Sequence, residues 1–430
     1  MLVPMLITGP TVGPRGRDEE KWMAPVTVGI DWAEGHHDVA VMDEAGAVVG
    51  KTRIDTGVAG FTELLALIAE HGGTPEQTPV GIETDKNLLV VALVAAGFTV
   101  YPLNPRAVAR YRERHSQSGR KSDARDAALL ADVLRTDRHL HRPMPAISEQ
   151  GLALKALARQ HQEAIWAWHD VLNRLRSLLM EYYPQALLAF PNLKHKAAIE
   201  VLGLASSPSS ARTLTRRRLV AALHRCGRRN DPPLVDQLLT ALHADGLAQP
   251  PAVEAALGTA AAQLIAVAKT MSAGVDELEA ALTAAFAEHP QAAIVASAPG
   301  LGPVLAARVL AEIGDDPTRF PTAAALRCYA GTAPVTRSSG RSHYVKARKV
   351  RNKRLGDACH WWAFATLTRS PAARAHYDAR RAAGDHHNAA LRNLANKLLG
   401  KLWWCLTHGQ EWDDATAWPA HPRAALPAAA

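Results

Sequence analysis

One stretch near the N-terminus limits the fold more than any other: VTVGIDWAEGHHDVAVMDEAGAVVGKTRI, residues 26–54. Three runs rich in β-branched and small apolar residues, at 26–32, 37–42 and 47–54, are separated by short segments of turn-forming residues. Such spacing predicts three sequential strands that form a meander.

Helical and strand patterns alternate after the meander. They predict a helix at 60–69, a strand at 79–83, a helix at 87–96, a strand at 99–103 and a helix near 106–112. A strand meander followed by alternating helices and strands resembles the element order of an RNase H-like α/β domain.

The pattern becomes helical after residue 147. Apolar and aromatic residues recur every seven positions, in two complementary series: Leu154, His161, Trp168, Leu175 and Tyr182, and Leu157, Ala164, Val171 and Leu178. This repeat predicts a long coiled-coil helix between domains or subunits; a single buried helix is the alternative. Residues 191–250 form a loosely specified insertion, and a helix is expected at about 253–288.

The C-terminal part opens with ASAPGLGPVLAARVLAEIGD, residues 296–315. Its Pro-Gly-apolar-Gly centre predicts a helix-hairpin-helix whose glycines let the backbone approach a phosphate; a simple packing turn is the alternative. The basic loop TRSSGRSHYVKARKVRNKRL follows at 336–355, and an amphipathic helix is expected at 389–406.

We therefore expect an α/β plus α protein. Its predicted parts are a disordered extension (1–25), a catalytic domain (26–147), a helical coiled-coil region with an insertion (148–290), a mostly helical C-terminal domain (291–410) and a flexible tail (411–430).

Composition limits the classes of partner and of site that we expect. The net charge of +8 over 430 residues favours a polyanion such as nucleic acid. The four cysteines have no CxxC spacing, which argues against a zinc site and a disulfide framework and fits a reducing cytoplasm. No charge-free run of about 18 apolar residues occurs, so we expect no membrane partner. The N-terminus lacks the pattern of a secretion signal.

Four carboxylates are candidates for a metal site. Asp31 and Glu83 end two apolar strands, while Asp123 and Asp126 lie three residues apart at a predicted helix start, on one helix face. Clustered carboxylates suit Mg²⁺, which prefers hard oxygen ligands. Taken singly, each acid reads better as a turn or helix-start residue. Three nearby acids rank lower because we place them in turns or on the solvent side: Asp38, Asp43 and Asp85.

The basic loop contains three serines, Ser338, Ser339 and Ser342, and Gly340 permits a tight turn that exposes a hydroxyl. On composition alone, such a loop more often grips phosphates than supplies a nucleophile. The expected nucleic-acid contacts are Arg337, Arg341, Lys346, Arg348, Lys349, Arg351, Lys353 and Arg354 in this loop, and Arg120 and Lys121 before the paired aspartates.

These motifs resemble the DEDD transposases of bacterial insertion sequences, whose relatives include the Piv DNA invertase. The resemblance rests on Asp31, Glu83 and KSDARDA, and on APGLGPVLAARVLAEIGD, RFPTAAALRCYAGTAPVTRSSG and KARKVRNKRL, in that order. It spans about residues 26–406.

The resemblance implies a RuvC-like domain with a Mg²⁺-binding quartet (Mn²⁺ as a substitute) and a serine that becomes covalently joined to DNA. The matching serine is Ser339, with Ser338 and then Ser342 as alternatives. It further implies donor and target DNA, a bridge RNA encoded in the element's flank, a homo-oligomer (dimer or tetramer) and a cytoplasmic, nucleoid-associated location in a bacterium.

Three other classes compete with this hypothesis. A metal-only RuvC-like endonuclease or Holliday junction resolvase would need the quartet but no serine. A sugar kinase or actin-like ATPase would need a glycine and a hydroxyl residue soon after Asp31, where Trp32, Ala33 and Glu34 stand instead. A catalytically dead nucleic-acid-binding protein would have no reason to keep the quartet.

Overall fold

The computed structural model describes residues 26–115, 123–229, 231–340 and 342–418. The predicted extension 1–25, the segment with Arg120 and Lys121, the single residue Arg341 and the tail from 419 lie outside the described residues. The chain divides into two compact units between Pro145 and Ala146.

The N-terminal unit contains a five-stranded mixed sheet in the order β3-β2-β1-β4-β5. Strands β1, β2 and β3 pair antiparallel, while β4 and β5 extend the sheet in parallel from β1. The bounds of the strands are β1 Thr27–Trp32, β2 His36–Met42, β3 Val48–Asp55, β4 Pro79–Ile82 and β5 Thr99–Pro102. The five predicted strands and the meander of the first three are confirmed.

Four helices flank this sheet: α1 Val58–Glu70, α2 Leu88–Ala95, α3 Pro105–His115 and α4 Asp123–Asp137, which continues into a 3-10 turn at Arg138–Leu140. One side of the sheet packs Ile30 and Val39 against Leu64 of α1 and Leu93 of α2. Helix α4 covers β1, β2 and β4. The alternation of side chains along each strand keeps these two layers separate.

Gly29 on β1 allows α4 to lie directly on the sheet. A Cβ at this position would lie 2.0 Å from the carbonyl oxygen of Ala127, which is backbone and has no rotamer with which to move aside. The glycine therefore sets how closely the first turns of α4 approach β1.

The C-terminal unit is mostly helical. Its first helices are α5 Glu149–Tyr182, α6 Pro184–Ala189, α7 Lys196–Leu204, α8 Pro208–Arg212, α9 Arg216–Arg225, α10 Pro232–Leu242 and α11 Pro251–Ala287. The remaining elements are α12 Ala292–Ala296, α13 Pro303–Ile313, α14 Ala323–Ala330, β6 Val335–Ser339, β7 Ser342–Lys346, α15 Lys353–Thr366, α16 Pro371–Ala382, α17 His387–His408 and α18 Asp414–Ala417.

The heptad stripe of α5 packs on α11 of the same chain. Leu154, His161 and Leu175 of the stripe are fully buried, and α11 has a matching seven-residue series, Ala261, Ala268, Val275 and Leu282. The helical pattern of α5 was predicted, but its partner was not, because a contact between distant helices leaves no local pattern in the sequence. The α5 surface that we expected to join subunits is thus covered within the chain.

Residues 191–250 are better specified than expected. Helices α6 to α10 enclose a core with the C-terminal end of α5 and part of α11, and this core includes Leu179, Leu202, Leu219 and Leu238. Local caps start several of these helices; the Ser207 side chain, for example, accepts from the Ser210 backbone N–H. The sequence of this segment is polar and rich in proline. It gave no clear helical pattern because each helix of the bundle is short.

The second core of this unit surrounds Trp362, which is fully buried on α15. The turn between α12 and α13, expected to face phosphate, packs here: Trp362 Nε1 and Thr366 Oγ1 both donate to the Pro299 carbonyl oxygen, at 2.9 Å each. The Pro299 carbonyl oxygen therefore takes part in hydrogen bonds inside this core.

Among the described helices, α11 alone has the length and mean hydropathy (1.4) of a membrane span. A helix of a folded core passes the same test, and α11 places its buried stripe along α5.

Candidate active site

Two aspartates face each other across the first hairpin of the sheet. Asp31 and Asp38 are register partners in the antiparallel pair β1–β2, so their side chains leave the same face. Gly29, two residues before Asp31, faces α4, and therefore Asp31 and Asp38 also point to the α4 side.

Helix α4 supplies two more carboxylates from its first turn, Asp123 and Asp126. Asp126 is buried, whereas the Asp123 side chain is 55% exposed. Glu83 directly follows β4, the parallel neighbour of β1, and so belongs to the same end of the sheet. The structure thus brings the four predicted acids together.

The neighbouring acids and burial both affect the ionisation of Asp31. Burial, followed by the charges of Asp126, Asp123, Glu83 and Asp38, raises the pKa of Asp31 to about 6. Each neighbour disfavours the ionised form, and a bound cation would reverse that effect.

Two arginines provide positive charge within this cluster. Arg53 on β3 pairs with Asp38 at 2.9 Å and lies 4.0 Å from Asp123. Arg112 on α3 holds Asp126 at 2.9 Å. Neither role was predicted, because an ion pair between distant segments leaves no local pattern.

The prediction that places Asp38 in a turn or on the solvent side is wrong. It lies on β2 rather than in a turn, and it is 7% exposed. Ligand atoms of His36, Asp38 and Asp123 lie within 4.8 Å of one another, a grouping that could hold a metal ion. The signal was present in the sequence, since a meander that pairs residue 31 with residue 38 places both acids opposite each other.

The predicted nucleophile region is an exposed β-hairpin. Ser339 at the end of β6 pairs with Ser342 at the start of β7, and Ser338 pairs with His343. Gly340 has φ +55°, the left-handed conformation that a tight turn needs and glycine accepts readily. Since successive residues of a strand point to opposite faces, Ser338 and Ser339 project on different sides of the hairpin.

The predicted nucleic-acid contacts differ in their surroundings. Arg337, Lys349, Arg351 and Lys353 are exposed, and Arg348 is half-buried. Lys346 Nζ lies 4.8 Å from the centroid of the Tyr344 ring. Arg354 pairs with Glu163, so part of its charge is used inside the protein. Arg120, Lys121 and Arg341 lie outside the described residues.

Comparison with known proteins gives matches to two family models. A transposase model of the DEDD type named for IS110 matches residues 28–184, which include all four predicted acids. A second model, described as transposase of the IS116/IS110/IS902 family, matches residues 292–378 and so includes the serine hairpin.

Individual relatives extend over most of the chain. The mini-circle putative transposase for IS117 of Streptomyces coelicolor is 48% identical over 92% of this chain and 98% of its own length. An uncharacterized 43.6 kDa protein of insertion element IS110, from the same organism, is 35% identical over 67% of this chain and 71% of its own. An uncharacterized 42 kDa protein of IS900 from Mycobacterium paratuberculosis is 29% identical over 91% of this chain and 98% of its own. The chain therefore belongs to the IS110/IS116 family of insertion-sequence transposases.

Proposed function

We propose that this protein cuts and rejoins DNA during movement of an insertion sequence, by metal-dependent phosphoryl transfer with a covalent phosphoserine intermediate. The observation that carries the proposal is the cluster of Asp31 with four other carboxylates. Burial, followed by the charges of these four neighbours, raises the pKa of Asp31 to about 6. The strand order β3-β2-β1-β4-β5 supports a RuvC-like domain as their scaffold.

The donor set fits a hard divalent cation. Asp31, Glu83, Asp123 and Asp126 would hold Mg²⁺, or Mn²⁺ in its place, because both prefer carboxylate oxygens. Asp38 and His36 are further candidates at the same place. When bound, such an ion supplies Lewis-acid polarisation of phosphate oxygens.

The chain's own residues do the rest. Asp126 stays buried and paired with Arg112, which fixes the first turn of α4. Ser339 Oγ attacks phosphorus and forms a P–O bond, and the bond to the departing sugar oxygen breaks. The serine proton passes to water, and the departing oxygen takes up a proton from water to become a hydroxyl. The basic residues that follow the hairpin neutralise phosphate charge. Reversal on a second DNA end releases the serine.

Three further elements of the proposal follow from the family resemblance: a bridge RNA from the element's flank, a homo-oligomer, and action in the bacterial cytoplasm at the nucleoid. Because α11 of the same chain packs on the buried residues of the α5 stripe, we expect subunits to join mainly through other surfaces.

The test mixes the protein with Mg²⁺, donor and target DNA, and flanking RNA, and then looks for DNA that stays covalently attached to the protein. Wild type and Ser338→Ala are expected to form a denaturation-resistant adduct, whereas Ser339→Ala and Asp126→Asn form none. An adduct on Ser339→Ala would overturn the choice of nucleophile. An unchanged yield of adduct without RNA would overturn the proposal that an RNA guides the reaction.

The carboxylate cluster lies wholly in the N-terminal unit, which favours a metal-only nuclease as the second candidate. DNA cleavage by wild type with no adduct at any time would select that function.

A further inference from the structure

The C-terminal unit contains a cavity of about 610 Å³ beyond the serine hairpin. Five cationic side chains line it: Arg348, Lys349, Arg351, Lys353 and Arg392. In the part of the chain that the structure describes, none of these five forms an ion pair. The cavity lining therefore carries a large net positive charge.

Of the described residues that line the cavity, only Asp357 is acidic, and its carboxylate accepts a hydrogen bond from Gln162 at 3.0 Å. The first turn of α15, with Lys353 and Gly356, is also part of the wall. A helix N-terminus adds partial positive charge to the cations, so the cavity suits a phosphate better than a neutral ligand.

Aromatic rings accompany the charge. Trp166 of α5 lines the cavity and is 39% exposed, with the Arg354 guanidinium 5.8 Å from its ring centroid. His360 also lines it and makes an edge contact at 5.7 Å with Trp361, which is 50% exposed. Phe364, equally exposed, continues the row 6.2 Å from Trp361.

This combination distinguishes paired from unpaired nucleic acid. A duplex offers phosphates to the cations, but its bases are stacked inside the helix and cannot reach the rings. An unpaired strand offers both a phosphate and a free base face, and proteins that bind single strands combine cationic grooves with exposed aromatic rings. The cavity volume lies in the range of small-molecule sites, about 300–1,000 Å³, so one nucleotide can enter.

We propose that this cavity and its aromatic rim bind an unpaired nucleotide, whose phosphate the cations hold and whose base stacks on Trp166, with the next base against Trp361. The inference rests on the proposed function, for it names the form of nucleic acid that the transposase grips. The nucleotide comes from an RNA loop or from a melted DNA strand, which share this chemistry.

The experiment measures binding of labelled single strands and of the matching duplex to the full-length protein, in EDTA so that no cleavage occurs. Trp166→Ala and Trp361→Ala are each expected to weaken single-strand binding about ten-fold and duplex binding less than about two-fold, as stacking losses per base predict. Trp404→Ala is the matched control, because Trp404 is 40% exposed and lies outside the cavity lining.

Arg392→Gln should weaken both forms and lower the salt dependence, whereas Arg217→Gln, which removes an exposed charge from α9, should change neither. RNA and DNA strands are compared in parallel, and selectivity of the tryptophan effect for either strand over its duplex supports the site. Equal losses for duplex and single strand, or no loss in either tryptophan variant, would overturn it.

A measurement on wild type guards against misfolded variants. A fluorescent adenine analogue in the strand should be quenched on binding if its base stacks on a ring, and an unchanged signal in saturated complex counts against stacking. If no adduct forms but the protein still binds single strands selectively, the proposed phosphoserine chemistry is wrong and this inference stands. If an adduct forms but the tryptophan variants show no selective loss of single-strand binding, this inference is wrong and the proposed chemistry stands.

Discussion

At the scale of single residues, Asp31 carries the greatest electrostatic conflict in the N-terminal unit. It is partly buried among four other carboxylates, so its ionised form is costly without a cation. Arg53 and Arg112 relieve Asp38 and Asp126 instead. A site that binds metal well is therefore a source of strain in the metal-free fold.

Asp31→Asn is expected to raise the melting temperature in EDTA by a few degrees, because it removes one of the mutually repelling charges. We expect Mg²⁺ to raise the melting temperature of wild type, and the same variant should lose this rise. Thermal unfolding followed by circular dichroism, with and without Mg²⁺, measures both effects.

Asp85→Asn serves as the control, since Asp85 is exposed and does not contribute to the pKa shift of Asp31. It should match wild type with and without Mg²⁺. A lower melting temperature for Asp31→Asn in EDTA would show that Asp31 stabilises the metal-free fold, contrary to expectation.

At the scale of elements, the contact between α4 and β1 positions half of the site. Gly29→Ala would drive a Cβ against the Ala127 carbonyl oxygen and push α4 away from the sheet. We expect a loss of about 3 kcal/mol in the free energy of unfolding, the upper part of the range for overpacking. Displaced Asp123 and Asp126 should also weaken Mg²⁺ binding, as isothermal titration calorimetry would measure.

Gly35→Ala is a matched control in the same hairpin, because no atom lies within 4 Å of its added Cβ. It should retain stability and Mg²⁺ binding. If Gly29→Ala behaved like Gly35→Ala, the close approach of α4 would not be what positions its carboxylates.

The pairing of α5 with α11 contains a buried histidine whose protonation the fold resists. Burial, followed by the charge of Arg308, lowers the pKa of His161, which Glu279 at 3.5 Å only partly offsets. The unfolded chain then binds this proton more readily than the folded one. Stability should therefore fall as the pH drops below about 6.5 and should be unaffected by this group above it.

His161→Leu should lose less stability than wild type between pH 7 and pH 5, since leucine cannot take up the proton in the unfolded chain. Denaturant unfolding across this pH range gives the slope. His195→Leu, at an exposed position, should keep the wild-type slope. An unchanged slope in His161→Leu would mean that other groups cause the acid sensitivity.

At the scale of the whole molecule, sequence patterns predicted what local periodicity encodes. The alternation of strands gave β1 to β5 nearly to the residue, and the heptads gave α5. Patterns could not give α11 as the partner of α5, nor the ion pairs Arg53–Asp38 and Arg112–Asp126, because these depend on contacts between distant segments. The candidate site divides in the same way. The ends of strands and helices predicted four of its acids, whereas Asp38 was recognised only from the pairing of β1 with β2.

The division of the chain into two units, each with its own cores, has a thermodynamic consequence. Calorimetry should resolve two unfolding transitions, because units with separate cores need not melt together. Mg²⁺ should raise only the transition of the N-terminal unit, where the carboxylates lie, by mass action on its folded state. Asp31→Asn should remove that shift and leave the second transition in place. If Mg²⁺ instead raised both transitions in Asp31→Asn as in wild type, the ion would be acting outside the carboxylate cluster.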